Sequence, residues 1–284
     1  METFSDINPF NLNVANTSQL PDKGKHPEDA SKDKVKFDPE SLYYDMTGEK
    51  YLFIFNHEEF DPESTSYYRK PPEKRTGTDE DVKKLKITFD KLGFKIEEFH
   101  NKKRSVIWDT FCRIRATNYS KASCFCVAIL THGLCGGDLC AYDTTYPFSD
   151  VLKLFESHPT LAGKPKLFFI QACRGRSLDD GNKIGIDGAK KDKVFTIPSH
   201  ADFLIIRSTV EDYLSYRDCR GSWMIQELCK AIMKYPHLDI LHLITLVQRE
   251  VAYGYATNTP GKTATHNKRQ MPETTFTLTK FLKF

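Results

Sequence analysis

The chain alternates short apolar runs with longer stretches in which apolar residues recur every three or four positions. Lys50-Tyr-Leu-Phe-Ile-Phe55, Cys124-Phe-Cys-Val-Ala-Ile-Leu130, Lys166-Leu-Phe-Phe-Ile-Gln171 and Phe203-Leu-Ile-Ile-Arg-Ser208 have strand length and almost no polar interruption. That is the pattern of strands covered on both faces. Phe94 to Phe99 alternates apolar with polar, as does the stretch near Thr274 to Lys280, and both predict strands. Val82, Leu85, Phe89 and Leu92 fall at helical spacing behind Thr78-Asp-Glu-Asp81. Thr78 is the expected N-cap, the acids fill the first turn, and Gly93 closes the helix. Further helices are predicted over 105–114, from Ser149 and Asp150 to Phe155, and over 222–234 and 239–251. Strand and helix in this rhythm predict a single α/β domain around a largely parallel sheet.

Two regions break the rhythm. Residues 1–41 carry few large apolar side chains and much Asn, Asp, Lys and Pro, so a disordered leader is expected before a folded domain over 42–284. The leader is too short for a folded recruitment module. Arg174 to Lys193 is rich in Gly, Asp and Lys and reads as an internal linker. Composition then narrows the function. Hydrophobic residues make up 39% and charged residues 28%, enough for a packed core. Forty-one basic residues against 38 acidic ones give a balance too even to point to nucleic acid. No basic segment leads into an apolar core at the N-terminus, and no apolar run is long enough to cross a bilayer. A cytoplasmic protein is expected, with its eight cysteines kept mostly as thiols.

Chemistry concentrates at two strand ends, Leu130-Thr131-His132-Gly133 and Ile170-Gln171-Ala172-Cys173. One helical crossover separates them, so the strands are expected to run parallel and close together. Their carboxyl ends then meet at the sheet edge where open α/β folds build sites. A thiol and an imidazole brought together there make a nucleophile and an acid/base partner. Backbone amides of Gly133 and Cys173 are the natural donors for an oxyanion. Cys124, Cys126, Cys135 and Cys140 lack the paired spacing of structural zinc, and no metal or cofactor is expected. Cys112, Cys219 and Cys229 read as packing residues.

The residues around Cys173 are specific. Gln171-Ala172-Cys173-Arg174-Gly175, with a histidine upstream at about the right remove, resembles the active-site signature of the caspases. Arg75-Thr76-Gly77-Thr78-Asp79, Gly163-Lys164-Pro165-Lys166, Ala201-Asp202-Phe203-Leu204, Gly221-Ser222-Trp223 and Lys268-Arg269-Gln270-Met271-Pro272 extend the resemblance from about Tyr43 to the C-terminus. It implies the caspase-like fold, with a largely parallel central sheet flanked by helices. It also implies Asp-directed cleavage of intracellular proteins in apoptosis. The pocket for the substrate aspartate would be built from Arg75, Gln171 and Arg217. Guanidinium groups grip a buried carboxylate through paired, charge-assisted hydrogen bonds.

The resemblance further implies a zymogen cut in the linker, leaving a large fragment of about 42–187 and a small one of about 188–284. Asp187 is the expected cut, with Asp180 second, and Asp29 would release the leader. An initiator relative would activate the chain, two copies would form a homodimer, and inhibitor-of-apoptosis proteins are conceivable partners. The short leader points to an effector type. One segment departs from the effector pattern Tyr-Ser-Trp-Arg-Asn, reading Leu214-Ser215-Tyr216-Arg217-Asp218. Leu214 and Tyr216 would line an apolar pocket for the residue before the cleaved aspartate. Asp218 would repel an acid at the fourth position upstream, which argues against a strict Asp-Glu-Val-Asp preference. Two other functions compete. A dead scaffold typically lacks the cysteine or histidine, and this chain keeps both. A protease cutting after Arg or Lys needs acidic pocket residues, and here they are basic.

Overall fold

The structure, a computed structural model, describes residues 35, 37–63, 72–134, 136–173, 199–210, 215, 217–218, 220–258 and 266–284. Nearly all of the expected leader, the linker from Arg174 to Lys193 and the cleavage positions Asp29, Asp180 and Asp187 lie outside them, as do Leu214 and Tyr216. The elements run β1 (Glu49–Asn56), α1 (Thr78–Lys91), β2 (Phe94–His100), α2 (Arg104–Ala116) and β3 (Ala122–Leu130). The short hairpin β4 (Asp138–Cys140) and β5 (Thr145–Pro147) leads into α3 (Phe148–Glu156), β6 (Lys166–Gln171) and β7 (Phe203–Arg207). A second short hairpin, β8 (Arg217–Asp218) and β9 (Gly221–Ser222), precedes α4 (Trp223–Lys234), α5 (Ile240–Gly254) and β10 (Glu273–Phe276).

Six strands form one sheet in the order β10-β7-β6-β3-β1-β2, parallel throughout except for β10, which pairs antiparallel with β7. The continuous apolar runs have a direct cause in this arrangement. Cys124, Cys126, Ala128 and Leu130 of β3 pack toward Val82, Leu85 and Phe89 of α1 and the apolar faces of α4 and α5. Phe125, Val127 and Ile129 pack on the other side, toward Phe111 of α2 and Phe155 of α3. Both faces are covered, so neither set of alternate positions can be polar.

Local outcomes differ from expectation at several points. Gly77, in the left-handed region at φ 89°, is the N-cap of α1, and Thr78 is its first helical residue. The Thr78 hydroxyl is taken by a buried cluster instead, donating to Asn56 Oδ1 at 2.7 Å and accepting from Arg75 at 2.9 Å. The last strand ends at Phe276, short of the expected Lys280, and beyond it the Thr279 hydroxyl donates to the Asp202 carboxylate at 2.6 Å. Cys229 is buried as expected, whereas Cys112, expected to pack in the interior, is exposed on α2. Cys124 and Cys126 share one face of β3 with their sulfurs 3.7 Å apart. Among the described residues no group of three or more His, Cys, Asp or Glu is arranged to hold a metal, and no helix is long and apolar enough to cross a membrane.

Candidate active site

Leu130 of β3 stands opposite Gln171 of β6, and the Thr131 N–H donates to the Gln171 carbonyl at 3.0 Å. Two residues beyond that pair the chains carry His132 and Cys173 out at the same level of the carboxyl edge. The β4 strand holds the His132 turn from the other side. Thr131 Oγ1 donates to the Cys140 carbonyl at 2.6 Å, and the Cys140 N–H returns a bond to the His132 carbonyl at 2.9 Å. His132 Nε2 lies 2.8 Å from the Glu73 carbonyl oxygen. A carbonyl only accepts, so Nε2 carries the hydrogen and the neutral ring keeps its lone pair at Nδ1. Phe60 packs against the imidazole with ring centroids 5.1 Å apart.

Gly133 sits so close to Cys173 that a Cβ built on it would lie 2.0 Å from the Cys173 carbonyl oxygen. Only glycine lets these two backbones approach. Ser208, just past β7, braces the residue before the cysteine: its hydroxyl accepts from the Ala172 N–H at 3.2 Å and donates to the Ala172 carbonyl at 2.9 Å. The half-buried Cys173 sulfur meets Ser215, whose N–H is at 3.4 Å and whose hydroxyl is at 3.5 Å. A cavity of about 180 Å³ adjoins the sulfur, lined by Gly136, Leu139, Phe148, Ile170 and Arg207 among others.

Arg75 is an arginine in the interior, only 1% exposed. Its guanidinium donates to the His57 carbonyl at 2.8 Å and to Thr78 Oγ1 at 2.9 Å, while its own N–H donates to the Glu58 carbonyl at 2.8 Å. Gln171 is also buried, and its Oε1 has no hydrogen-bond partner among the described residues. His57 lies at full burial beside Arg75. Burial above all, then the nearby Arg75 charge and His100, pushes its pKa down to about 3, so the ring is neutral.

The family model described as Caspase domain matches residues 49–283. The chain belongs to the caspase family. It is 40% identical to "Caspase-1" of Spodoptera frugiperda over 88% of this chain and 84% of that protein. It is 39% identical to "Caspase-3" of Xenopus laevis over 74% of this chain and 73% of that protein, and 37% identical to "Caspase drICE" of Drosophila melanogaster over 81% and 68%. The crystal structure of Caspase-1 from Spodoptera frugiperda superposes with a TM-score of 0.78 at 39% identity, covering 88% of this chain and 96% of that one. This caspase is accordingly an aspartate-specific cysteine protease with the caspase-like fold, and its substrates are proteins cut after Asp.

In this caspase Arg217 and Asp218 lie on the β8–β9 hairpin. Arg217 and Asp218 pair with Ser222 and Gly221 through the backbone. The hairpin is tied to the first turn of α1 by Asp81, whose Oδ1 accepts from the Ser222 N–H and from Gln226 Nε2, both at 2.8 Å. Burial raises the Asp81 pKa, and those donors act against the shift. Gly221, at φ 111°, is required for this tether, because a Cβ there would lie 2.3 Å from Asp81 Oδ1. Residue selection from the sequence missed three contributors: Glu73, Phe60 and Asp81. Glu73 acts through a main-chain carbonyl, which any residue type supplies, so its side chain carries no signal. Asp81 was legible only as an acid in a helix first turn.

Proposed function

We propose that this caspase is an effector zymogen of apoptosis, with Cys173 as nucleophile and His132 as acid/base. The observation that carries the reading is the β3–β6 register, which brings His132 and Cys173 out side by side with Gly133 pressed against the cysteine backbone. His132 Nδ1 takes the Cys173 thiol proton, and the thiolate so formed attacks the scissile carbonyl carbon as the carbonyl electron pair moves to oxygen. The oxyanion accepts from the backbone N–H groups of Gly133 and Cys173. As the intermediate collapses, the C–N bond breaks and the leaving amine takes a proton from His132 Nδ1. His132 then removes a proton from water, the hydroxide attacks the thioester, and the acid and the thiolate are released. The Nε2 bond to the Glu73 carbonyl keeps the exchanging nitrogen turned inward and favours the charged ring while it holds the thiol proton or the proton taken from water.

Arg75, Gln171 and Arg217 form the pocket for the substrate aspartate. A buried guanidinium and a buried amide oxygen without a partner support the Arg75 and Gln171 assignments. Ser215 presents main chain to the substrate backbone, Leu214 and Tyr216 line the apolar subsite next to the aspartate, and Asp218 faces the fourth residue upstream. The chain is made inactive in the cytoplasm, with residues 1–41 as prodomain. Cleavage after Asp187, or after Asp180, by an initiator caspase yields a large subunit of about 42–187 and a small one of about 188–284, and cleavage after Asp29 releases the leader. The exposed outer edge of β10 pairs with a second copy to form a homodimer. Inhibitor-of-apoptosis proteins are proposed as further partners.

The test compares the activated protein with Cys173→Ala on peptides that differ only in having Asp, Glu or Arg at the cut. Turnover restricted to the Asp peptide and absent in the variant is the expected result. Equal turnover by both proteins overturns the catalytic assignment.

A further inference from the structure

Outside the cleft a concavity of about 570 Å³ lies between α1 and α4. Lys84 and Lys91 reach it from α1, Lys230 and Lys234 from α4, and Arg220 from the β8–β9 turn. All five cations are exposed. Glu227 is the acidic residue among the lining, and it is already engaged, accepting from Tyr255 Oη at 2.7 Å and pairing with Lys230 at 3.1 Å. Lys234 lies over the Tyr235 ring at 5.1 Å. Ile87 and Met233, 56% and 42% exposed, form an apolar strip between the lysines. The spacing explains the pattern. Lys84, Ile87 and Lys91 fall on one face of α1, and Lys230, Met233 and Lys234 on one face of α4.

The groove is joined along the chain to the residues proposed to hold the substrate. The segment that leaves Ser215 at the Cys173 sulfur runs through Arg217 and Asp218, turns at Arg220, and enters α4 at Trp223, and Arg220, Gly221 and Trp223 line the groove. With Asp218 at the fourth residue before the cut, a longer substrate extends on its amino side toward this basic floor.

We propose that the α1–α4 groove is a docking site for an acidic, aliphatic-containing stretch of the substrate polypeptide lying upstream of the four residues nearest the cut. This rests on the proposed placement of the substrate along the β8–β9 hairpin. Charge complementarity selects the occupant: five cations surround one carboxylate that already has partners, and the strip at Ile87 and Met233 accepts an aliphatic side chain. It also gives this enzyme a means of favouring acidic substrates that Asp218 alone would discourage at the fourth position.

The test uses the activated full-length enzyme and three peptides sharing one short Asp-terminated sequence: bare, with an amino-side extension of Glu, Asp and Leu, and with the same extension carrying Gln, Asn and Leu. The acidic extension is expected to raise kcat/KM about tenfold over the neutral one, the size of a few exposed ion pairs acting together, and to lose the gain at high salt. The triple variant Lys84→Glu, Lys91→Glu, Lys234→Glu should cut the bare peptide as before and show no preference for the acidic extension. Equal rates for acidic and neutral extensions in the unaltered enzyme overturn the proposal, as does a preference that survives the triple variant. Failure to cut the bare peptide in the unaltered enzyme is a failure of the catalytic reading instead.

Discussion

The Ser215 backbone N–H lies 3.4 Å from the Cys173 sulfur, with the Ser215 hydroxyl at 3.5 Å on the same atom. The side of the thiol that faces the β8–β9 segment is therefore occupied by the protein's own main chain. The mechanism proposed above brings a substrate carbonyl to the sulfur, and on that reading Ser215 withdraws before acylation. The uncut double variant Asp180→Ala, Asp187→Ala is expected to hydrolyse a short Asp peptide roughly a hundredfold more slowly than the processed enzyme, because the competent arrangement is only a minor population. Titration with an electrophilic Asp-mimicking inhibitor reads the competent fraction directly. Equal labelling rates in the cut and uncut forms would show that the Ser215 contact is no barrier.

Gly133→Ala forces a methyl group into the space 2.0 Å from the Cys173 carbonyl oxygen. Overpacking of this kind costs about 1–3 kcal/mol, which a domain of this size survives. Displacement of Gly133 as the proposed oxyanion donor is more damaging, and kcat should fall by about 10²–10³. Thermal melting separates the effects: a folded protein with a modestly lowered Tm and little turnover is the expected outcome.

His57 links stability to acid. Its folded pKa of about 3 lies below the ordinary 6.5, so the unfolded chain binds a proton that the folded chain refuses. Its contribution to stability is complete above pH 6.5 and is lost as pH falls toward 3, at about 1.4 kcal/mol per pH unit for one proton. Burial also lowers the His158 pKa, so His158 adds to the same trend. Denaturant titrations of His57→Leu from pH 7 to pH 4 should give a flatter dependence than the unaltered protein. An unchanged slope would assign the acid sensitivity elsewhere.

Asp218→Asn removes a carboxylate from the subsite proposed for the fourth residue before the cut. Peptides with Asp at that position should gain about tenfold in kcat/KM, as expected when a close like-charge pair is relieved, and peptides with an aliphatic residue there should change little. A positional peptide library run on both enzymes makes the comparison. A parallel shift at every position would place Asp218 outside the subsite.

The sequence alone determined the layer architecture, because a strand covered on both faces is apolar on both sets of alternate positions, as β3 is from Cys124 to Leu130 and β6 from Leu167 to Ile170. It also carried the family signature at the strand ends, since the pentapeptide around Cys173 and the His132-Gly133 pair are each contiguous and their residue types are the signal. Tertiary structure decided what depends on main-chain atoms and on partners distant in the chain. The Glu73 carbonyl orients His132 from 59 residues away, and Ser215 covers the sulfur from 42 residues away. Arg75 claims the Thr78 hydroxyl that local capping rules assign to the helix end. Local pattern registers the cost of burying a side chain. It does not register which backbone groups the closed fold will bring within hydrogen-bonding distance.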